Sequence, residues 1–243
     1  MILVLASSQT GLESARGKLV LFLLDLQAKT NDASALGEAT NALLRKMISV
    51  EVLYDRCIRS MRAFKSSNAE ERRRNNGYWR PETDEYRNDT AVFLECFHYS
   101  VRSLFDMLAR ITWYVYKEET QSIPHWKFSA QRRYFTRTER KRNPEYTSLI
   151  ERTHTWIDRV FADRDSFTHY FVPDINLNSE FSVVFEHRKP MVEDHDRDRH
   201  VEDLDGYLKS VMTNLDSFLK EYVRVHKGRL LETHYMSLFD TEP

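Results

Sequence analysis

Arg164, Asp165 and His169 are the chemistry-bearing side chains of residues 162–171, which read A-D-R-D-S-F-T-H-Y-F. A histidine can take and give a proton near neutrality, because an unperturbed imidazole titrates at about 6.5. A guanidinium stays charged, and its planar fork holds two oxygens of a phosphate or a carboxylate. Asp165 precedes His169 by four residues, so on a helix both share a face and the carboxylate can accept an imidazole N–H. Residues 146–171 read as one amphipathic helix, with Tyr146, Leu149, Ile150, Ile157, Val160, Phe161, Phe167 and Phe171 at helical spacing. Arg164 falls in the middle of that stripe, where it needs a partner, an interface or a ligand. A buried carboxylate such as Glu95 or Asp106 would make it purely structural. An Asp/His pair at this spacing is also common on helix surfaces.

Spacing alone is a weak filter. Three Arg–His pairs in the chain have four to six residues between them: Arg164/His169, Arg188/His195 and Arg229/His234. Only the first has an Asp directly after the Arg and lies late in a long amphipathic helix. The second spans Pro190, and the third has Leu230 after the Arg and runs into a tail.

R-D-S-F-T-H resembles the signature of the HEPN superfamily: an Arg, a polar residue, three residues and a His. The order of elements over residues 84–226 is similar too, with a long helix, the motif at the end of the next helix, an irregular stretch and a closing helix. The resemblance implies an all-α, HEPN-like helical bundle. It implies a metal-independent endoribonuclease that needs no cofactor and acts as a homodimer with facing motifs. Some members carry a Tyr two residues after the His as a nucleotidylation acceptor. Here that position is Phe171, with Tyr170 beside the His.

The chemistry so implied is attack of the RNA 2′-hydroxyl on its own phosphate, leaving a 2′,3′-cyclic phosphate. Arg164 would hold the phosphoryl oxygens, His169 would transfer protons and Asp165 would orient the imidazole. The setting implied is a toxin–antitoxin system, phage defence or RNA processing, with an antitoxin or regulatory protein as a further partner. Two other readings stay open: a non-catalytic module that binds RNA or a nucleotide, and a helical protein-interaction scaffold.

Two basic stretches bear on substrate. Arg72, Arg73, Arg74 and Arg80 surround Tyr78 and Trp79. Arg132, Arg133, Arg137, Arg140, Lys141 and Arg142 interleave with Tyr134 and Phe135. Arginine neutralises phosphate and aromatic rings stack on unpaired bases, so RNA is the expected ligand, with the second stretch as the binding patch. The bland alternative is a pair of solvated loops. Net charge is −1, so any nucleic-acid affinity must come from such local patches.

The elements that must position these residues follow from periodicity. Helices are expected over 11–29, 33–66, 84–118, 146–171 and 201–226, with Gly228 ending the last. Residues 67–83 and 120–144 are expected as breaks. Residues 171–177 and 181–187 are expected as a small β-hairpin insertion. The whole chain, 1–243, is expected as a single helical domain: an N-terminal pair at 11–66, a HEPN-like core at 84–226 and a tail at 227–243. Asp106 with Arg102 and Arg110 reads as a solvent-facing ion-pair row.

Cys57 and Cys96 are the only cysteines and read as reduced core residues of a cytoplasmic protein. Residues 1–6 lack the basic start of a secretory signal, and the apolar run near 18–26 is too short for a membrane span, so no membrane association is expected. His187, His195 and His200, with Glu193, Asp194, Asp196 and Asp198, fit no tight ligand spacing, and no metal is expected. No Gly-rich phosphate loop and no nucleophile elbow is present.

Overall fold

The computed structural model describes residues 12–30, 32–74, 85–117, 122–137, 143–169, 173–187 and 200–239. Among these, six helices and one small antiparallel sheet make a mostly helical fold with a β insertion. The helices are α1 (Glu13–Lys29), α2 (Ala33–Arg74), α3 (Glu85–Tyr116), α4 (Phe128–Arg137), α5 (Pro144–His169) and α6 (Leu204–Phe239). The strands are β1 (Asp174–Leu177), β2 (Val183–His187) and β3 (His200–Asp203), in the order β1-β2-β3. The chain forms two compact units: Met1–Met47, Ser103–Trp156 and Met212–Pro243 make the first, and Ile48–Arg102 with Ile157–Val211 make the second.

The first unit has an aromatic core. Phe105 meets Phe128 at 4.9 Å and Phe218 at 5.0 Å between ring centroids, and Phe135 meets Tyr146 at 4.8 Å. All five are buried, and each such side chain stabilises the fold by roughly 1.5–3 kcal/mol. Thr112, Tyr222, Tyr146 and Gln131 form a chain of polar contacts inside it. Thr112 Oγ1 donates to the Leu108 carbonyl at 3.0 Å and lies 2.9 Å from the Tyr222 hydroxyl. Tyr146 donates to Gln131 Oε1 at 3.2 Å, and Gln131 Nε2 donates to the carbonyls of Ala109 and Pro124. His226 sits in the same core. Its Nδ1 donates to the Tyr222 carbonyl at 3.0 Å, while its Nε2 has no hydrogen-bond partner. Its ring stacks on Tyr222 at 4.1 Å and meets Tyr146 edge-on at 4.6 Å. Burial in this apolar cage pushes its pKa down from 6.5 to about 3, against the pull of the Tyr222 carbonyl, so His226 is neutral.

α4 lies inside residues 120–144, expected as a break. Its buried face, Phe128, Gln131 and Phe135, has helical spacing. What the sequence lacks is a local cap: the first amide, Phe128 N–H, is accepted by Asp106 Oδ1 on α3 at 2.9 Å. The two arginines flanking Asp106 on α3 both lie over aromatic rings, Arg102 over Phe161 at 3.9 Å and Arg110 over Trp126 at 5.4 Å.

The second unit packs Phe64 of α2, Leu94 and Phe97 of α3, Ile157 and Val160 of α5, and Leu204 and Leu208 of α6 into its core. α2 runs past residue 66, where a break was expected. Asn68 is buried there and returns its Nδ2 to the Phe64 carbonyl at 2.6 Å, so a polar residue continues the helix. The expected hairpin is present, with Ile175 opposite Phe185 and both fully buried. Its turn is fixed by Asn178, whose Oδ1 accepts the N–H groups of Glu180 and Ser182, and Phe181 takes a positive φ of 63°. Arg87 ties β1 to α3 by donating to the Ile175 carbonyl and to Asp174.

A third strand was not expected. β3 pairs with β2, placing Val201 opposite Glu186, so Val201 belongs to the sheet and not to the last helix. α6 starts after Asp203, whose Oδ2 accepts the Gly206 N–H at 2.7 Å as an N-cap. At its other end α6 continues through Gly228, which keeps a helical conformation with nothing within 4 Å of where a Cβ would stand. Cys57 is buried and its thiol is pushed up to about 12 by burial. Cys96 is exposed, so only one cysteine is a core residue.

Candidate functional site

The site residues sit on the last three turns of α5, in the second unit. There the buried residues are Val160, Phe161, Asp163, Ser166 and Phe167. Arg164 falls within this arc in helical projection, between Val160 and Phe161, and Asp163 and Ser166 widen it on the other side. Apolar spacing alone missed Asp163 and Ser166 because both are polar.

Arg164 keeps 21 % of its side chain exposed and donates from Nη1 to Asp165 Oδ1 at 2.8 Å. Its Cζ lies 4.3 Å from the centre of the Tyr99 ring. Burial works against the charge, but the Asp165 hydrogen bond and the Tyr99 contact more than offset it and hold the guanidinium above its ordinary pKa. A carboxylate at hydrogen-bond distance is thus the adjacent, exposed Asp165. One oxygen of Asp165, the residue expected to orient His169, is engaged by Arg164. His169 is the final residue of α5, and its side chain lies outside the described residues.

Directly beneath is a buried polar cluster that the sequence reading missed. His98 Nδ1 donates to the Leu94 carbonyl at 2.7 Å, and its Nε2 lies 2.6 Å from the Tyr207 hydroxyl. That hydroxyl donates to Asp163 Oδ2 at 3.0 Å, and Asp163 Oδ2 is 3.8 Å from His98 Nε2. All three residues are buried. The Tyr207 hydroxyl thus links the His98 ring to the Asp163 carboxylate. Burial, with the Asp163 charge and hydrogen bond, drives the Tyr207 phenol well above its usual range, so it remains protonated.

The two layers are in register. His98 and Asp163 face inward and are joined through Tyr207; Tyr99 and Arg164, the next residue of each helix, meet outside. The inner bonds fix the rotation of α5 against α3 and so place the outer guanidinium. Arg159 extends the outer layer, with its Cζ 5.1 Å from the Tyr207 ring and its guanidinium paired to Glu202. The signal for this cluster was available: Asp163 stands three residues after Val160 and four before Phe167, a core position.

The expected RNA-binding stretch divides. Arg132, Arg133, Tyr134 and Arg137 lie on α4, in the first unit, away from its buried face. Arg133 and Arg137 are exposed and Arg132 and Tyr134 half-buried. Phe135, expected as a stacking ring, is fully buried against Tyr116 and Tyr146. Arg140, Lys141 and Arg142 lie outside the described residues, as do Arg80, Tyr78 and Trp79. Among the described residues no cluster of metal-capable side chains occurs, and no helix is long and apolar enough to cross a membrane. His195, Glu193, Asp194, Asp196 and Asp198 lie outside them.

No protein-family model matches this chain, and no curated protein or solved structure matches it either.

Proposed function

We propose that the protein is a metal-independent endoribonuclease similar to HEPN enzymes, with Arg164 and His169 as its catalytic residues. The observation that supports this most is a half-buried guanidinium held over Tyr99, on the helix that ends at His169. In the reaction, a histidine takes the 2′-hydroxyl proton as the 2′-oxygen bonds to phosphorus. The bond from phosphorus to the 5′-oxygen breaks, and that oxygen receives a proton from an acid. A second copy of the chain supplies the second His, so the active form is a homodimer. Arg164 stabilises the added phosphoryl charge, and Asp165 acts as its placeholder, released when phosphate arrives. A cytoplasmic toxin, defence or RNA-processing role with a regulatory partner fits this activity.

Cleavage of a mixed RNA pool in EDTA tests the reading. Wild type is expected to leave 2′,3′-cyclic phosphate ends. His169→Ala is expected to lose about 10²–10⁴-fold in rate and Arg164→Ala about 10²–10³-fold, with circular dichroism unchanged. A wild type that never cuts removes the enzyme reading. The Arg164–Asp165 ion pair favours one other reading, a non-catalytic module whose guanidinium only binds RNA or a nucleotide. That reading predicts Arg164-dependent binding without turnover.

A further inference from the structure

In the first unit, a second surface carries exposed aromatic and basic side chains together. Trp126 is 64 % exposed, in the short segment between α3 and α4. Its ring meets His125 at 4.6 Å, and His125 meets Trp113 at 5.2 Å, so three rings make a stepped shelf. Arg110 Cζ stands 5.4 Å from the Trp126 centroid, and Lys117 Nζ lies 5.7 Å from Trp113 and 5.1 Å from Tyr114. Lys127 is exposed beside them. An indole left in water beside cations forgoes burial that a core position would have given it. The shelf is also rigid. Gln131 Nε2 holds the Pro124 carbonyl at 3.0 Å, Asp106 holds the Phe128 amide, and Ile123 is buried beneath.

We propose that this shelf binds an unpaired nucleobase, stacked on Trp126, with Arg110, Lys117 and Lys127 receiving the flanking phosphates. Flat rings accept any base, cations neutralise the backbone, and a prefixed loop loses little entropy on binding. Duplex ends offer one exposed base face at most, so single strands are the preferred ligand. The inference concerns binding of single-stranded nucleic acid and does not depend on cleavage at His169.

The test uses the full chain and non-cleavable 12-mers: 2′-O-methyl-oligouridylate, oligothymidylate and a blunt duplex. Anisotropy and tryptophan quenching are read at about 50 mM salt, where phosphate contacts are strong. Trp126→Ala is expected to weaken single-strand binding by about tenfold or more, and Trp126→Phe by about threefold or less. Arg110→Gln is expected to lower the slope of log affinity against log salt by about one. A ribo-type preference assigns the shelf to RNA, and equal affinity assigns it to either strand. Equal affinity of wild type and Trp126→Ala overturns the proposal, as does equal affinity for the duplex or no binding at all. RNA cleavage is scored separately. If wild type never cuts yet Trp126→Ala loses strand binding, the shelf stands and the ribonuclease reading falls. If wild type cuts and Trp126→Ala binds as well as wild type, the reverse holds.

Discussion

His226 in the first unit and His98 in the second are both fully buried, yet as different chemical arrangements. His226 has one bond, from Nδ1 to the Tyr222 carbonyl, and four aromatic neighbours, Phe22, Tyr116, Tyr146 and Tyr222. Among the described residues no carboxylate bonds it, and burial strips its proton. His98 has both ring nitrogens engaged and a buried acid within reach through Tyr207. There Tyr207 connects the ring to the Asp163 carboxylate. The difference teaches that a buried histidine is an aromatic packing element or a link in a polar chain according to whether the fold supplies an acid. Of the two, only the linked one underlies the candidate site.

The sharpest way to break the comparison is to remove the acid. Asp163→Ala strands the Tyr207 hydroxyl and the His98 ring in a dry interior, and is expected to cost about 3–5 kcal/mol by urea unfolding. A cost under about 1 kcal/mol would mean that the cluster is incidental packing.

The next test uses pH. The folded pKa of His226 is about 3 and its ordinary value is 6.5, so between these limits only the unfolded chain binds the proton. Its contribution is therefore complete above 6.5 and is lost progressively as pH falls toward 3. Between pH 7 and 5 the loss is about 2 kcal/mol. His226→Phe, which keeps the aromatic shape, is expected to flatten the stability profile by that amount. An unchanged slope would place the acid sensitivity elsewhere.

The smallest effects come from two glycines on α6, one in each unit. A Cβ on Gly206 would stand 2.8 Å from Asp203 Oδ2, the cap oxygen, whereas one on Gly228 would meet nothing within 4 Å. Gly206→Ala is expected to disturb the cap and cost about 1 kcal/mol. Gly228→Ala is expected to raise stability by about 0.5–1 kcal/mol through helix propensity and a stiffer unfolded chain. Thermal melts of the two variants should move in opposite directions.

Long apolar stripes were legible in the sequence, which is why α1, α3 and most of α5 fall close to their expected bounds. Features set by contacts distant in sequence were not. α4 takes its cap from Asp106, and β3 exists only because β2 is there to pair with it. Gly228 looked like a stop, but a glycine ends a helix only where the backbone turns left-handed, and here it does not. At the candidate site the same limit appears. Arg164 stood out because a charge in an apolar stripe is conspicuous. Asp163 was overlooked because its partners, His98 and Tyr207, are on other helices.

The Asp106 cap on α4 also sets an order of events. A ten-residue helix is marginal in water by itself, and this one has its first amide held by a residue of α3. α3 must therefore be in place before α4 is worth forming, so α4 condenses late as the chain folds and opens early under strain. Deuterium uptake along Phe128–Arg137 would then act as a clock for docking onto α3, running faster than uptake in α3 itself.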